Sequence, residues 1–140
     1  MGENALSVAV VGAGYWGKNL IRNFATTARS NLKYVCDLDE KRLAIQKKNF
    51  PFIETTKDFH KALSDREVEA VVIATEVPTH FGIAQQSLEA GKHTYVEKPM
   101  TSTADESKKL VDLAKEKRVK LMVGHLLEYH PGVNFLKEAI

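Results

Sequence analysis

The stretch VAVVGAGYWG, residues 8–17, joins a short apolar run to three regularly spaced glycines. Four consecutive apolar residues, 8–11, leave no polar face, so they predict a central strand covered by helices on both sides. Gly12, Gly14 and Gly17 follow with the spacing G-x-G-x-x-G, where a helical segment begins. The first glycine permits a tight turn, the second lets the backbone approach phosphates, and the third lets the helix pack closely on the strand. Backbone N–H groups and the helix dipole favour a pyrophosphate there, so the stretch predicts a phosphate-binding turn.

Beyond this stretch, short apolar runs alternate with amphipathic segments, which is the pattern of a parallel sheet with helical crossovers. We predict an α/β fold of the Rossmann type, a doubly wound parallel sheet of about six strands with helices on both faces. The strands are expected at residues 8–11, 32–36, 52–53, 70–74, 94–96 and 119–123.

Helices are expected between these strands, and the last one begins near residue 133. Several side chains have the spacing or chemistry of helix caps. The expected N-caps are Asp39, Thr79 and Thr103, and a short helix is expected at residues 58–63. The expected buried positions at helical spacing are Ile21, Phe24, Ala25 and Ala28 in the first helix, and Leu110, Val111 and Ala114 in a later one.

An acidic residue, Asp37, lies twenty residues beyond Gly17, at the carboxyl end of the second predicted strand. A carboxylate there can accept hydrogen bonds from a ribose 2′-hydroxyl and would repel a 2′-phosphate. We therefore favour NAD over NADP, although Lys41 and Arg42 keep NADP open. Alternatively, the glycines make only a tight turn and Asp37 caps the next helix. Tyr15 and Trp16, at the helix start, are expected to offer their backbone amides to the cofactor.

Composition limits the class of protein. The 140 residues are 44% hydrophobic and 27% charged with a net charge of +2, so we expect one domain and no broad nucleic-acid or membrane surface. No apolar run approaches the ~20 residues of a membrane span, and no secretory signal pattern precedes the first strand. The single cysteine, Cys36, excludes an internal disulfide and fits a reducing, cytoplasmic location. Inside a predicted strand, Cys36 is interpreted as an apolar filler rather than a nucleophile.

Polar residues follow the fourth and fifth predicted strands, where an open parallel sheet binds its ligand. After the fourth strand come Thr75 and His80, and for His80 a site role and a packing role both remain open. The fifth strand ends at Glu97-Lys98-Pro99. Beside an oxidised nicotinamide and partly buried, Lys98 could accept a hydroxyl proton as the hydride leaves. The alternative is an exposed lysine in a turn.

Together these residues resemble the Gfo/Idh/MocA oxidoreductase family. The resemblance rests on GAGYWG at 12–17, Asp37, Thr75 with His80, and above all Glu97-Lys98-Pro99. It covers nearly the whole chain, in the order of that family's N-terminal domain. Residues 15–19 and 124–131 are similar to a nucleotide-sugar branch, the 3-dehydrogenases of UDP-N-acetylglucosamine or its uronate.

The resemblance implies a dehydrogenase that oxidises a ring hydroxyl of a sugar or nucleotide sugar by hydride transfer to NAD. It also implies roles for individual residues. Lys98 would be the catalytic lysine and contact the cofactor, Glu97 would lie near the nicotinamide ribose, Thr75 and His80 would line the cofactor cleft, and His125 would lie near the substrate entrance.

Members of the family also carry a second domain that supplies the substrate pocket, so residues 1–140 are expected to be the dinucleotide-binding domain alone. We expect this chain to bind NAD with little or no turnover, and any homo-oligomer to use surfaces of the second domain. His125 and His130 lack further ligands at metal spacing, so no metal site is expected. Two alternatives remain open. One is a non-catalytic dinucleotide-binding regulatory module; the other is an S-adenosylmethionine-dependent methyltransferase, against which Gly17 and residues 97–99 count.

Overall fold

Six strands form one sheet across residues 5–140, the part of the chain that the computed structural model describes. They are β1 (Leu6–Val11), β2 (Ser30–Cys36), β3 (Glu54–Thr56), β4 (Ala70–Ile73), β5 (His93–Val96) and β6 (Leu121–Val123). All pairings are parallel, and the spatial order is β3-β2-β1-β4-β5-β6. The chain runs outward from β1 to β3 and then returns to place β4 beside β1. The strand order therefore reverses between β1 and β4, which opens a crevice at their carboxyl ends.

Helices connect successive strands and cover both faces of the sheet. They are α1 (Gly17–Thr26), α2 (Glu40–Asn49), α3 (Phe59–Ser64), α4 (Val77–Glu89), α5 (Ala104–Lys117) and α6 (Pro131–Ala139). A short 3₁₀ helix, Leu126–Tyr129, precedes α6 and has no counterpart in the sequence prediction. The predicted Rossmann-type α/β fold is confirmed.

The apolar run at the start of the chain divides its side chains between two hydrophobic cores. Val8 and Val10 lie with Ile21 of α1 in one core, and all three are 0% exposed. Ala9 and Val11 belong to the core on the opposite face, which also contains residues of α4 and α5. Since successive strand residues point to opposite faces, the run needs apolar side chains at every position.

Two of the three predicted N-caps are confirmed, since Asp39 accepts hydrogen bonds from the backbone of α2 and Thr103 forms a capping box with Glu106 at α5. Asp58, the first residue of the short helix expected at 58–63, is instead the N-cap of α3 and accepts a hydrogen bond from its backbone. The prediction for Thr79 is wrong, because α4 begins earlier and Thr79 lies in its first turn. The Thr79 hydroxyl donates back to the Glu76 carbonyl oxygen, and its oxygen lies 2.7 Å both from that carbonyl and from Thr75 Oγ1.

The third strand lies two residues later than predicted. Phe52 is 65% exposed and belongs to a turn, whereas Ile53 is fully buried just before β3. The reason is Lys47, at the end of α2, whose ammonium donates to the carbonyl oxygens of Pro51 and Ile53 at 2.8 and 2.7 Å. These bonds fold the chain back at the point where an extended strand was expected.

Smaller differences also have local causes. Ala28 lies beyond the end of α1 and is exposed, because Thr27 leaves the helix in an extended conformation. Val111 is 39% exposed, so the buried face of α5 is narrower than predicted. The last strand begins at Leu121 rather than at Val119, because Arg118 ends α5 in the left-handed conformation and the Val119 N–H still bonds to that helix.

Candidate dinucleotide-binding site

The fold itself requires two of the three glycines in the turn after β1. Gly12 has φ +98°, and a Cβ on it would lie 2.6 Å from the Ala74 carbonyl oxygen. A Cβ on Gly17 would collide with the carbonyl oxygen of Gly12, because α1 begins directly against β1. Gly14 differs, since its Cβ would meet only the Arg42 guanidinium, at an ordinary 3.5 Å. A glycine at 14 therefore leaves the backbone open to the cleft, as close approach of a phosphate demands.

Asp37, at the end of β2, contacts the glycine turn directly. Its Oδ2 accepts a 2.7 Å hydrogen bond from the Ala13 N–H, and its Oδ1 accepts a 2.8 Å bond from the Asp39 N–H. Its side chain is 9% exposed, and a guanidinium nitrogen of Arg42 lies 3.7 Å from Oδ2. Each carboxylate oxygen has two acceptor positions, so Asp37 retains acceptor capacity for a hydroxyl. The cap of α2 is Asp39, so Asp37 is free of the capping role that was its structural alternative.

A cleft of about 790 Å³, which we call the Asp37 cleft, lies beside the glycine turn. It brings together the turn, the end of β2, and residues from the β4–α4 segment. Its lining includes Gly12, Gly14, Tyr15, Trp16, Asp37, Arg42, Lys57, Phe59, Thr75 and Ile83. The mixture of apolar walls, open backbone and one nearly buried carboxylate suits an adenosine with its ribose and phosphates.

A second cleft of about 810 Å³, which we call the Lys98 cleft, lies at the carboxyl ends of β4, β5 and β6. Tyr15, Trp16, Ala74 and Thr75 line both clefts, so the two meet at the glycine turn. The other lining residues include Val77, His80, Glu97, Lys98, Gly124, His125 and Leu126. The fold thus brings all the predicted site residues of the second half of the chain to one place.

Lys98 and His125 are both exposed in the Lys98 cleft. The partial burial expected for Lys98 is absent, because Lys98 is the first exposed residue after the buried end of β5. Among the described residues, its ammonium takes part in none of the ion pairs. The Lys98 side chain is therefore available to a ligand in the cleft.

Glu97 is buried, with 7% exposure, and its carboxylate is already extensively hydrogen-bonded. Its Oε1 accepts from the Trp16 indole N–H at 2.7 Å and from the Tyr95 hydroxyl at 2.8 Å. Its Oε2 accepts from the Lys98 N–H at 3.2 Å, which leaves one acceptor position for a ribose hydroxyl. Burial, and then the hydrogen bond to Glu97, raise the pKa of the Tyr95 phenol above its usual range.

His80 is 1% exposed and lies between two backbone carbonyls. Its Nδ1 lies 2.9 Å from the Pro99 oxygen, and its Nε2 lies 3.0 Å from the Thr75 oxygen. Both ring nitrogens are thus engaged with the loops after β4 and β5. The imidazole forms part of the cleft wall, and its polar atoms connect the two loops that carry Thr75 and Lys98.

Cys36 is 2% exposed, and burial, with a smaller effect from Asp58, raises the pKa of its thiol to about 12. The thiolate is therefore scarce at neutral pH, in keeping with a packing role. Within residues 5–140, no three His, Cys, Asp or Glu side chains are arranged to hold a metal ion. In the same part of the chain, no helix has both the length and the apolar character needed to cross a membrane.

Two features of the site escape prediction from the sequence. The hydrogen bond between Trp16 and Glu97 joins residues 81 apart in the chain. Gly124 is required because a Cβ there would lie 2.5 Å from the Tyr95 hydroxyl oxygen and 2.8 Å from Glu97 Oε2. A glycine directly after the last strand is the only local sign of this crowding.

Comparisons with known proteins agree with this geometry. A family model described as "Oxidoreductase family, NAD-binding Rossmann fold" (GFO_IDH_MocA) matches residues 6–125. Over 139 residues the chain is 30% identical to UDP-N-acetylglucosamine 3-dehydrogenase of Acidithiobacillus ferrooxidans, covering 96% of this chain and 41% of that protein. The chain thus spans about two fifths of this curated relative.

Two similar solved structures contain a nicotinamide dinucleotide. GenD2 from gentamicin A biosynthesis, in complex with NAD, has a TM-score of 0.87 and 34% identity, covering 91% of this chain and 36% of that chain. Biliverdin reductase of Synechocystis sp., in complex with biliverdin and NADP+, has a TM-score of 0.82 and 32% identity, covering 88% of this chain and 38% of that chain.

Proposed function

Because this chain belongs to the Gfo/Idh/MocA oxidoreductase family and contains its NAD-binding domain, we propose that it serves a dehydrogenase acting on a ring hydroxyl of a sugar or nucleotide sugar. The 30% identity to UDP-N-acetylglucosamine 3-dehydrogenase supports the nucleotide-sugar class, with UDP-N-acetylglucosamine or its uronate as the substrate to test first. Biliverdin reductase has a similar fold and a different substrate. The fold alone therefore selects no sugar: the cofactor part of the proposal rests on the site, and the substrate part rests on the resemblance to the sugar dehydrogenase.

One observation carries the cofactor part of the proposal: Gly14 leaves the turn open where the fold needs no glycine, and Asp37 contacts the same turn with acceptor capacity left. The turn, with the N-terminus of α1, would hold the pyrophosphate, and Tyr15 and Trp16 would contribute backbone amides. Asp37 would bind the ribose 2′-hydroxyl. A 2′-phosphate would meet the Asp37 carboxylate at close range, so we propose NAD as the preferred cofactor.

When bound, NAD accepts the hydride that the carbinol carbon loses. Lys98 would take the hydroxyl proton and later release it to solvent. Its side chain lines the Lys98 cleft and forms no ion pair among the described residues, so it is free to reach a substrate there. His125, in the loop after β6, lines the same cleft and would contact the substrate. Thr75 and His80 would shape the wall shared with the cofactor.

We also propose that a substrate domain outside these 140 residues completes the pocket. Lys98 and His125 are both exposed, so this chain would hold a sugar from one side only. The chain alone should therefore bind NAD with little or no turnover. A cytoplasmic location remains part of the proposal and is supported by the single, buried and free cysteine.

The enzymatic role is tested in the full-length protein by Lys98→Met, with Lys108→Met on the exposed surface of α5 as the matched control. We expect Lys98→Met to abolish sugar-dependent NADH formation while NADH binding persists, because the variant keeps the turn and Asp37. Binding of NADH is measured by calorimetric titration of each variant. Turnover that survives Lys98→Met would exclude Lys98 as the base.

The second candidate function is a non-catalytic dinucleotide-binding regulatory module. The exposure of Lys98 and His125 favours it to the extent that neither is enclosed as a finished catalytic centre would be. Both functions need the glycine turn and Asp37, but only the enzyme needs Lys98. A full-length protein that binds NADH and shows no turnover with any sugar or nucleotide sugar would favour the module.

A further inference from the structure

The buried carboxylate of Glu97 connects the glycine turn to the loop that carries Lys98. The Trp16 indole donates to Glu97 Oε1 from one side, and the Lys98 N–H donates to Oε2 from the other. In the sheet, β4 lies between β1 and β5, so the Trp16–Glu97 bond spans a whole strand. A hydrogen bond to a buried carboxylate is charge-assisted and stronger than a neutral one.

The backbone of Trp16 links the glycine turn to the first turn of α1. Its carbonyl oxygen accepts a 2.9 Å hydrogen bond from the Asn19 N–H and so forms part of the first turn of α1. Its side chain is 40% exposed and lines both clefts. The hydrogen bond on the Trp16 indole therefore restrains a residue whose backbone belongs to the first turn of α1.

In the described part of the chain, two side-chain hydrogen bonds reach residues 13–16, and both end on carboxylates. Asp37 holds the Ala13 N–H from the β2 side, and Glu97 holds the Trp16 indole from the β5 side. The turn is thus fixed at its beginning and at its end, by groups on opposite sides of β1.

We propose that Trp16 and Glu97 are a positioning pair for cofactor binding: their hydrogen bond fixes the phosphate-binding turn, so that NAD affinity depends on the two side chains acting together. The inference deepens the proposed function and rests on it, because it assumes that the turn binds a dinucleotide. It assigns Glu97 a task that is separate from any contact with the nicotinamide ribose.

Gly124 supplies an independent way to disturb the pair. A Cβ at 124 would lie 2.8 Å from Glu97 Oε2 and 2.5 Å from the Tyr95 hydroxyl oxygen, and its three nearest atoms all belong to Tyr95 and Glu97. Gly124→Ala should therefore displace the Glu97 carboxylate and weaken its bond to Trp16, with no change in the turn sequence.

The bond itself is tested without cofactor. Because Trp16 is the only tryptophan, a ¹⁵N-labelled chain gives one indole N–H signal in a heteronuclear NMR spectrum. We expect that proton to resonate downfield of a solvent-exposed indole, and to move upfield in both Glu97→Gln and Gly124→Ala. A signal that neither substitution moves would overturn the proposal.

The coupling is tested by a double-mutant cycle on NAD affinity, measured by calorimetry, with thermal unfolding to confirm that each variant is folded. Trp16→Phe should weaken NAD binding about tenfold, the effect of losing one hydrogen bond to a charged group. Glu97→Gln should weaken NAD binding less in the Trp16→Phe background than in the wild type, because the bond between the two side chains is already gone. Phe135→Leu, which alters an exposed aromatic side chain on α6, is the control and should bind as the wild type does.

If the losses of NAD affinity in the two single variants multiply in the double variant, the two side chains act independently and the proposal is overturned. Wild-type NAD affinity in Trp16→Phe would overturn it as well. If Trp16→Phe fails to fold, Gly124→Ala takes its place in the affinity measurement. A Gly124→Ala variant whose indole signal has moved but whose NAD affinity equals that of the wild type would overturn the proposal. If wild-type protein binds no NAD, the proposed function fails. The indole signal would then still report whether the bond exists.

Discussion

The backbone N–H of Ala13 donates a 2.7 Å hydrogen bond to Oδ2 of Asp37, so the carboxylate proposed to hold the ribose also holds the phosphate-binding turn. The two residues are 24 apart in the chain and meet because β1 and β2 are neighbours in register, with Val11 opposite Cys36. One carboxylate therefore connects two parts of the cofactor site. Changing it should affect both.

Replacing Asp37 with Asn should weaken NAD binding about ten- to hundredfold, because the hydrogen bonds of a charged acceptor are lost or weakened. NADP binding should suffer less, since the repulsion of a 2′-phosphate is also removed and Arg42 remains. Calorimetric titration with each dinucleotide measures both effects. Asp112→Asn, on the exposed face of α5, is the control. Unchanged NAD affinity in Asp37→Asn would remove Asp37 from the site.

Alanine substitutions at the three glycines of the turn should differ in effect: two should lower the free energy of unfolding, and the third should lower NAD affinity. Gly17→Ala should lower the free energy of unfolding by about 3 kcal/mol or more, and Gly12→Ala by about 2 kcal/mol, because their new methyl groups meet backbone atoms. Gly14→Ala should stay within about 1 kcal/mol of the wild type and yet lose at least about tenfold in NAD affinity. Urea unfolding and calorimetry measure the two quantities. Full NAD affinity in Gly14→Ala would show that no phosphate approaches that position.

A buried lysine away from the clefts should contribute to stability alone. Lys92 is 8% exposed, and its ammonium donates to the carbonyl oxygens of Val68 and Asp65 at 2.7 and 2.8 Å. Lys92→Met keeps most of the apolar stem but leaves these carbonyls without that donor, which should cost about 2 kcal/mol in urea unfolding. Lys108→Met, at an exposed position of α5, should cost almost nothing. Equal stability of the two variants would show that Lys92 is not a structural donor.

Acid should weaken the ion pair between Lys33 and Asp65 as the pH falls below about 4. The side-chain hydrogen bond from Lys33 is the main cause that lowers the pKa of Asp65 from 3.8 to about 2. Because the folded pKa is below the unfolded one, the stabilisation is complete above about pH 4 and is lost as the pH falls towards 2. The stability difference between wild type and Asp65→Asn should therefore shrink across that range, as measured by urea unfolding. A difference that stays constant down to pH 2 would contradict the assignment.

Much of the fold follows from residues whose partners are close along the chain. The alternation of Val8, Ala9, Val10 and Val11 between two cores requires a covered central strand, and that pattern is visible in the sequence. The caps Asp39 and Thr103 are equally local, since each bonds to backbone two or three residues away. The same holds for the glycine turn, where a strand, a bend and a helix succeed one another.

What the sequence could not predict depends on contacts between distant residues. Nothing near Trp16 indicates that its indole reaches Glu97, and nothing near His80 indicates that its ring lies between the Thr75 and Pro99 carbonyls. The start of β3 was missed for a similar reason, because a lysine side chain of α2 holds the turn before it. Side-chain to backbone bonds of this kind depend on three-dimensional packing, which a linear pattern does not contain.

The central claim is that the turn at residues 12–17 and Asp37 together bind NAD. Isothermal titration of the folded 140-residue chain measures this directly. We expect saturable binding of one NAD per chain, with NADP binding more weakly. No heat with either dinucleotide, from protein shown to be folded by circular dichroism, would contradict the claim.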